Sequence, residues 1–244
     1  MVSAWLIYSN RWDKAHSSDN AIENSLYLTT AAKLANRKPH TPSEGYYLNE
    51  AIKAHDFIVN SGLINTTTNL LNDGLFPQSS SPNSCKNNNG IYWSYNQGAL
   101  LSGLVEMTWA TSNHQYEDLA IKIASAAIDP ENILTDSYGV HALTDSNGIL
   151  HDVCEKDNPP CGGDGGQFKG VFARNLQFMV NRANLPADLA QKFSDYLRNN
   201  ANSIWDNAMS GNSLGPVWSG PYSTASVQSQ SSALDALVGA ACVS

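Results

Sequence analysis

Apolar residues recur at helical spacing in seven segments of the chain, separated by polar stretches rich in Asn, Ser and Gly. In the third segment, Leu100, Leu101, Leu104 and Val105 form such a stripe. Prolines and short polar turns bound the segments, as is usual where helices begin and end. The pattern predicts helices over about residues 20–36, 44–60, 93–112, 115–128, 167–183 and 187–204, and from about residue 227 onward.

The predicted helices form pairs with a short link inside each pair and a long loop between pairs. The first helices of three pairs begin near residues 20, 93 and 167. The pattern Tyr-x-x-x-Ala-Ile-Lys recurs at residues 47–53 and 116–122, in the second helix of two pairs, which indicates an internal repeat. We therefore predict an all-α toroid of helical hairpins in one domain spanning residues 1–244, with its long loops and its functional site at one end. Strand-like alternation competes with this pattern only near residues 138–150.

Composition and charge restrict the classes of function. Hydrophobic residues make up 42% of the 244 residues and charged residues only 15%, which is typical of a globular chain. The net charge is −8 and basic residues form no run, so a nucleic-acid partner is not expected. No apolar run approaches the roughly 18–20 residues of a membrane span. The first eight residues lack the features of a signal peptide.

The four cysteines lie far apart except for one pair. Cys154 and Cys161 flank a short loop and are candidates for a disulfide. Metal ligation is the alternative, but no Cys-x-x-Cys pair or nearby His cluster supports it, so neither a metal nor a cofactor is expected. Cys85 and Cys242 are free, pair with each other, or have partners outside this chain.

The start of the third predicted helix, residues 92–98, combines aromatic and amide side chains with a buried helical body. Tyr95, Asn96 and Gln97 lie in its first turn. Sugar rings stack on aromatic faces, and sugar hydroxyls need neutral amide partners. The segment is therefore a candidate sugar site, and ordinary packing at a helix start is the alternative interpretation.

Several segments together resemble glycoside hydrolase family 76, which includes bacterial and fungal endo-α-1,6-mannanases. The most specific is Trp-Ser-Tyr-Asn-Gln-Gly at residues 93–98, followed by Gly-Leu-Val-Glu at residues 103–106. Further segments in the family's order are residues 73–75, 148–150 with 154–155, 167–172 with 174–176, 218–221 and 230–235. The resemblance covers nearly the whole chain and is closest to the fungal members.

The resemblance implies an (α/α)6 barrel and a retaining mechanism that uses two adjacent aspartates, one as nucleophile and one as acid/base. That division of roles suits glycoside cleavage. This sequence contains no Asp-Asp pair. Because seven helices are predicted where the family barrel has twelve, we expect the chain to correspond to the C-terminal part of such an enzyme and to be inactive alone.

The resemblance and the loop pattern together predict eight substrate-binding residues. They are Tyr95, Asn96, Gln97, Asp152, Glu155, Lys169, Arg174 and Trp218. The alternative for Asp152 and Glu155 is a solvated loop, and for Lys169 and Arg174 it is a pair of exposed helix charges. Substitution of Asp152 and Glu155 for the missing catalytic pair is disfavoured, because nothing in the sequence holds them on a supported scaffold.

The expected function is therefore that of a mannan endo-1,6-α-mannosidase acting on α-1,6-mannan, without the catalytic segment in this chain. Two alternatives share the family: a cell-wall mannosyl transglycosylase, which passes the mannosyl unit to a sugar acceptor, and a non-catalytic mannan-binding or scaffold protein. The expected partner is an α-mannan or another mannose-containing glycan, and the expected location is extracellular or associated with a cell wall.

Overall fold

The computed structural model describes residues 19–37, 45–76 and 86–243. Within these residues, seven helices follow the order that the apolar spacing predicts. Their bounds are α1 Ala21–Arg37, α2 Tyr46–Asn60, α3 Ser94–Thr111, α4 Gln115–Ala127, α5 Phe168–Arg182, α6 Ala187–Asn207 and α7 Val227–Ala241. The last predicted start, near residue 227, coincides with a capping box in which Ser226 and Ser229 satisfy each other's backbone N–H groups.

The first helices of the hairpins form one layer and the second helices cover it. Helix α3 packs between α1 and α5, and α7 packs against α5. On the outside, α2 lies against α1, α4 against α3, and α6 against both α5 and α7. The all-α arrangement of helical hairpins predicted from the sequence is thus confirmed.

Helix α3 is the centre of the inner layer and is buried over most of its surface. Residues 96–108 are all buried, including the polar Ser102 and Glu106. Two glycines let its neighbours approach closely. A Cβ atom on Gly98 would lie 2.5 Å from the Cα atom of Phe172 in α5, and one on Gly103 would lie 2.4 Å from a side-chain atom of Leu28 in α1. The spacing of the inner layer therefore depends on glycine at these positions.

The long loops contain short antiparallel strands, most of which the sequence pattern did not predict. Their bounds are β1 Asp19–Asn20, β2 Ile64–Asn65, β3 Leu70–Leu71, β4 Gly74–Phe76, β5 Lys86–Asn87, β6 Leu134–Asp136, β7 Gly139–His141, β8 Met209–Ser210 and β9 Ser213–Leu214. They pair as β1-β4-β5, β2-β3, β6-β7 and β8-β9. Only β7 and the bridge between Thr144 and Leu150 fall in the predicted region near residues 138–150. Ladders of two or three residues are too short to show an alternating pattern.

Three contacts attach the loops to the N-terminal ends of the inner helices. The N–H group of Ala21 at the start of α1 donates to the carbonyl oxygen of Asp73 (2.9 Å). Gln97 in the first turn of α3 bonds to the backbone of Leu71, and Asp152 accepts from the N–H group of Ser94. The loops before and after the α3–α4 hairpin therefore meet at one end of the helical layer, as predicted. None of the helices in the described ranges is long and apolar enough to cross a bilayer.

Candidate functional site

An aromatic cluster lies where the N-terminal ends of α3 and α5 meet. The rings of Tyr95 and Phe168 are 4.1 Å apart between centroids and tilted by 30°. Trp93 meets Phe168 edge to face at 5.2 Å, and Tyr138 from the β6–β7 hairpin contacts Trp93 at 6.4 Å. All four side chains are only partly buried. Partly exposed aromatic residues at the end of a helical layer that carries the loops provide a surface on which a sugar ring can stack.

Asp73 joins this cluster to the start of α3. Its Oδ1 atom accepts from the Tyr95 hydroxyl (3.1 Å) and from Asn96 Nδ2 (3.0 Å). Burial, with the Asp73 carboxylate as the next cause, raises the pKa of Tyr95, so the phenol stays a hydrogen-bond donor. The Oδ1 atom of Asn96 is buried and has no hydrogen-bond partner in the described part of the chain. Asp73 therefore fixes the orientation of two of the predicted binding residues.

Gln97 faces the loop backbone instead of the cluster. Its Nε2 atom donates to the carbonyl oxygens of Leu71 (2.8 Å) and Trp93 (3.0 Å), and its Oε1 atom accepts from the N–H group of Leu71 (2.8 Å). The side chain is fully buried. This arrangement uses both atoms of the amide on the backbone and differs from the predicted contact with a sugar. Gln97 therefore attaches strand β3 to α3 through hydrogen bonds to the Leu71 backbone.

Asp152 occupies the N-terminal end of α3. Its Oδ1 atom accepts from the N–H group of Ser94 (2.9 Å) and its Oδ2 atom from the Ser94 hydroxyl (2.6 Å). A carboxylate is favoured there because it satisfies a free N–H group and interacts with the positive end of the helix dipole. Burial nevertheless dominates and raises the pKa of Asp152 to about 7. Asp152 is therefore a buried cap of α3 rather than a solvated loop residue.

Glu155 belongs to a chain of charged side chains that crosses the loop between α4 and α5. It pairs with Lys169 and with His151, whose Nε2 atom lies 3.2 Å from Asp145 Oδ2. Burial alone would raise the pKa of Glu155, but the Lys169 ammonium and His151 hold it below its usual value. Burial alone would lower the pKa of His151, and Glu155 raises it above its usual value. The loop is therefore held by a buried ion pair of Lys169 and Glu155 that continues into the partly exposed His151 and Asp145.

Lys169 connects this chain of charges to Trp218. Its Nζ atom also donates to the carbonyl oxygen of Pro216 (2.8 Å) and lies 4.7 Å from the centre of the Trp218 ring. Trp218 is buried, and its indole nitrogen has no hydrogen-bond partner in the described residues. Both side chains pack beneath the loops rather than on an open surface.

Arg174 is separated from the other predicted residues. It lies about one and a half turns further along α5 than Lys169. Its guanidinium bonds to Asp235 of α7 (3.0 Å), and its side chain is 54% exposed. The sequence left two interpretations of Lys169 and Arg174: substrate binding, or a pair of exposed helix charges. Arg174 is an exposed helix charge. Lys169 is not exposed, because it forms a buried ion pair.

A cavity of about 430 Å³ opens beside the buried charges. The loop between α4 and α5 lines it with Asp145, His151, Asp152 and Glu155. His141 and Glu131 from the preceding segment complete this polar wall. The described residues hold no group of three or more His, Cys, Asp or Glu side chains arranged to bind a metal ion.

The order of these elements along the chain corresponds to a known family. The sequence model of glycosyl hydrolase family 76 matches residues 4–243. The chain belongs to glycosyl hydrolase family 76. The resemblance indicated by residues 93–98 and the ordered segments around them is thereby confirmed.

Two curated fungal proteins of known activity are similar to this family 76 chain. They are the mannan endo-1,6-alpha-mannosidases DFG5 of Saccharomyces cerevisiae and DCW1 of Candida albicans, each 27% identical over 175 residues, or 70% of this chain. The match covers 33% of the first protein and 34% of the second. The chain thus spans about a third of the length of the curated relatives it matches.

Solved structures of family 76 proteins share the fold. The α-1,6-mannanase GH76A from Salegentibacter sp. HEL1_6 superimposes with a TM-score of 0.75 at 22% identity, over 93% of this chain and 60% of that one. An inactive variant of it, with two consecutive aspartates replaced by asparagine, is solved in complex with α-1,6-mannotriose (TM-score 0.76, 22% identity, 93% and 60% coverage). Dfg5 from Chaetomium thermophilum, solved with glucosamine, superimposes with a TM-score of 0.71 at 18% identity, over 93% of this chain and 52% of that one. The fold of this chain is therefore the α/α toroid of family 76.

The structure also contains site residues that the sequence pattern did not identify. Phe168 was assigned to the apolar stripe of α5, yet it stacks on Tyr95. Its position as the first residue of α5, directly after a Gly-rich turn, parallels that of Tyr95 at the start of α3 and was the available signal. Asp145 and His151 carried no such signal, because their contacts depend on how the loop folds back.

The cysteines of this family 76 chain differ in their environments. Cys154 and Cys161 form a disulfide with Cα atoms 4.6 Å apart, which is the arrangement that the sequence favoured over a metal site. Cys242 is free and exposed. Cys85 lies outside the described residues.

The buried titratable groups predict that stability is greatest in mildly acidic solution. The pKa of Asp152 is about 7 in the folded protein and about 3.9 when unfolded, so its stabilisation is complete below pH 4 and is lost as pH rises through 7. The raised pKa of His151 acts in the same direction, with stabilisation complete below about pH 6.5. The lowered pKa of Glu155 acts oppositely, since its stabilisation is present above about pH 4.5 and is lost as pH falls.

We therefore expect the free energy of unfolding to fall between pH 5.5 and pH 8, with Asp152 alone contributing about 1 to 2 kcal/mol of that fall. Urea unfolding at a series of pH values measures it. Asp152→Asn keeps the shape of the cap and removes the titration, so its slope over this range should be shallower. A wild-type stability that rises from pH 5.5 to pH 8, or an unchanged slope in the variant, contradicts the prediction.

Proposed function

We propose that this chain supplies the glycan-binding wall of a mannan endo-1,6-α-mannosidase that acts on α-1,6-linked mannan. The observation that carries the proposal is the stacked pair of Tyr95 and Phe168 beside the hydrogen-bonded pair of Asp73 and Asn96. The aromatic pair offers a face for the C–H groups of a pyranose ring, and the partly exposed Asp73 carboxylate offers an acceptor for its hydroxyls. The mannan-acting relatives and the mannotriose complex of a family 76 enzyme support the choice of sugar.

The predicted binding residues take two roles in this proposal. Tyr95 and Phe168, which are partly exposed, contact the glycan, and the buried Asn96 supports them by holding Asp73 in place. Gln97, Asp152, Glu155, Lys169 and Trp218 hold the loops in position from beneath, and Arg174 lies apart. The reason for this division is burial, because the side chains of these five supporting residues are almost fully enclosed by protein and would have to leave their packed positions to reach a sugar.

The proposal assigns binding and not bond cleavage to these residues. Retaining cleavage needs two carboxyl groups about 5–5.5 Å apart across the sugar, one of them free to attack. Asp152 is bonded to Ser94, and Glu155 is paired with Lys169 and His151. The sequence contains no adjacent aspartates like those that the family resemblance implies. We therefore expect the chain alone to bind mannan without releasing reducing ends.

We further propose an extracellular or cell-wall location. The disulfide between Cys154 and Cys161 supports this, because disulfides persist in oxidising compartments and are rare in the cytosol. The low content of charged residues, 15%, is consistent with such a protein.

Affinity electrophoresis tests the proposed function. The purified chain is run through gels that contain linear α-1,6-mannan or, as a matched polymer, α-1,6-glucan. We expect retardation by mannan to exceed that by glucan. Phe168→Ala should weaken mannan binding about fivefold, which corresponds to the roughly 1 kcal/mol of one aromatic stacking contact.

Trp205→Ala is the matched control, since Trp205 is an exposed aromatic residue of α6 (59% exposed) outside the cluster. It should leave retardation unchanged, and the melting temperatures of both variants show whether they fold. Equal mobility of the chain in the two gels, or wild-type retardation of Phe168→Ala in the mannan gel, contradicts the proposed glycan-binding wall. Release of reducing ends by the purified chain contradicts the assignment of binding alone.

A further inference from the structure

A half-exposed tryptophan interrupts the burial of α3 at the end away from the aromatic cluster. The Trp109 side chain is 47% exposed, whereas residues 96–108 of the same helix are buried. Trp109 lies 14 residues after Tyr95, which is about 20 Å along the helix axis at 1.5 Å per residue. A single sugar unit cannot contact both positions. The surroundings of Trp109 are therefore a separate surface.

Arg182 from the last turn of α5 stacks on Trp109. Its guanidinium carbon lies 3.9 Å from the centre of the indole ring. The contact holds the ring in one orientation and covers one face with a cation. The residue nevertheless remains 47% exposed.

A cavity of about 430 Å³ lies beside this ring, between the α3–α4 turn and the α5–α6 turn. Its polar groups come from Ser112, His114, Glu117 and Asn184. Glu117 is the fixed acceptor among them: its side chain is 7% exposed, and its Oε2 atom accepts from the N–H group of Asn184 (3.0 Å). His114 is exposed and lies 3.8 Å from the other carboxylate oxygen.

We propose that Trp109, Arg182 and Glu117 form a second glycan-binding site, which takes one or two hexopyranose units at the end of the toroid opposite the aromatic cluster. The exposed indole of Trp109, which lines the cavity, supplies the apolar surface that the C–H groups of a pyranose require. Arg182 and His114 supply donors at its edge, and Glu117 supplies an acceptor. The cavity falls within the range of small-ligand sites, roughly 300–1,000 Å³, and is too small for a protein helix. This site goes beyond the proposed function and does not rest on it.

The indole N–H resonances of the protein test both surfaces in one titration. The chain has six tryptophans, so its ¹⁵N–¹H spectrum shows six such signals. Trp93→Phe, Trp109→Phe and Trp205→Phe each remove one signal and thereby assign it. The ¹⁵N-labelled chain is then titrated with α-1,6-mannotetraose to millimolar concentrations. We expect the Trp109 signal to shift saturably while that of Trp205, exposed on α6, stays in place.

Arg182→Ala provides the variant that tests the geometry. It leaves Trp109 in place but removes the cation that orients the ring, so we expect the dissociation constant read from the Trp109 signal to rise at least fivefold. The constant read from Trp93, which lies in the aromatic cluster, should not change. An unchanged melting temperature shows that the variant folds.

The possible outcomes separate this inference from the proposed function. A shift at Trp109 without one at Trp93 supports the second site and contradicts the binding wall. A shift at Trp93 without one at Trp109 overturns the second site and leaves the binding wall standing. A Trp109 signal that moves with protein concentration instead of sugar shows a contact between copies of the chain, and it also overturns the inference. A dissociation constant at Trp109 that is the same in Arg182→Ala as in the wild type also overturns the inference.

Discussion

Replacing Gly98 with alanine should lower the free energy of unfolding by about 3 kcal/mol or more, at the upper end of the range for overpacked cores. The added Cβ atom would lie 2.5 Å from the Cα atom and 2.9 Å from the backbone nitrogen of Phe172, and 2.9 Å from the carbonyl oxygen of Val171. All three atoms belong to the backbone of α5. No side-chain rotation relieves the overlap, so α3 and α5 must move apart.

The same displacement should weaken glycan binding. Tyr95 and Phe168 stand at the N-terminal ends of these two helices, with their rings 4.1 Å apart. Separating α3 from α5 opens this stack, since each ring is carried by one of the helices. We therefore expect Gly98→Ala to lose retardation in the mannan gel as well as stability.

Gly239→Ala is the matched control for this prediction. Gly239 lies within α7, and its added Cβ atom would meet Gln177 at 3.6 Å and Ala173 at 3.7 Å, which are ordinary contacts. Alanine is favoured over glycine in a helix interior by up to about 1 kcal/mol, so this variant should be neutral or slightly more stable. Urea unfolding monitored by circular dichroism compares the two. A Gly98→Ala protein as stable as the wild type contradicts the close packing of α3 on α5.

Replacing Lys169 with methionine should cost about 3 kcal/mol of stability, the lower end of the range for removing one partner of a buried ion pair. The Lys169 and Glu155 side chains are 5% and 7% exposed. Methionine fills the volume of the aliphatic chain but leaves Glu155 without its ammonium and the Pro216 carbonyl oxygen without its donor. The remaining contact with His151 compensates Glu155 in part, so the lower end of the range is expected.

The response to pH and to a second substitution identifies the cause of this loss. Without Lys169, the pKa of Glu155 rises, and the carboxyl takes up a proton more readily as the solution becomes acidic. The destabilisation should therefore shrink below about pH 5. The double variant Lys169→Met with Glu155→Gln should recover part of the stability, because no unpaired carboxylate remains buried.

Arg174→Met is the control on the same helix. Its pair with Asp235 is exposed, with side chains 54% and 30% accessible, and an exposed pair contributes between about 0 and 1 kcal/mol. Equal losses in Lys169→Met and Arg174→Met would show that the Lys169 pair is not buried in solution. A loss at Lys169 that stays constant from pH 4 to pH 8 would assign it to packing instead of charge.

Local signals were sufficient to predict the helices. The apolar spacing of α3, the proline before α6 and the serine before α7 are each properties of a few neighbouring residues, and each helix begins near its predicted start. Short strands such as Leu70–Leu71 escaped prediction because two residues have no periodicity. Leu71 also bonds through its backbone to Gln97, a side chain from another element.

The candidate binding residues were chosen by residue type, and their arrangement depends on partners elsewhere in the chain. Tyr95 and Asn96 were identified by residue type, yet their orientation depends on Asp73, which is 22 and 23 residues away. Gln97 has the same type of side chain as Asn96 and follows it directly, but it points to the backbone of β3. Adjacent residues on a helix face directions about 100° apart, and only the packed neighbours decide which contacts each side chain makes.

The sequence by itself determined the class of the protein: an all-α chain of repeated hairpins, with the ordered segments of family 76 and without an adjacent pair of aspartates. These properties follow from local spacing and residue identity. The tertiary structure alone decided which aromatic and charged side chains are exposed and which are buried in contacts with the rest of the protein. Asp152, Glu155 and Lys169 became buried supports, Phe168 became part of the cluster, and Trp109 became an open surface, because burial and hydrogen-bond partners come from residues distant in the chain.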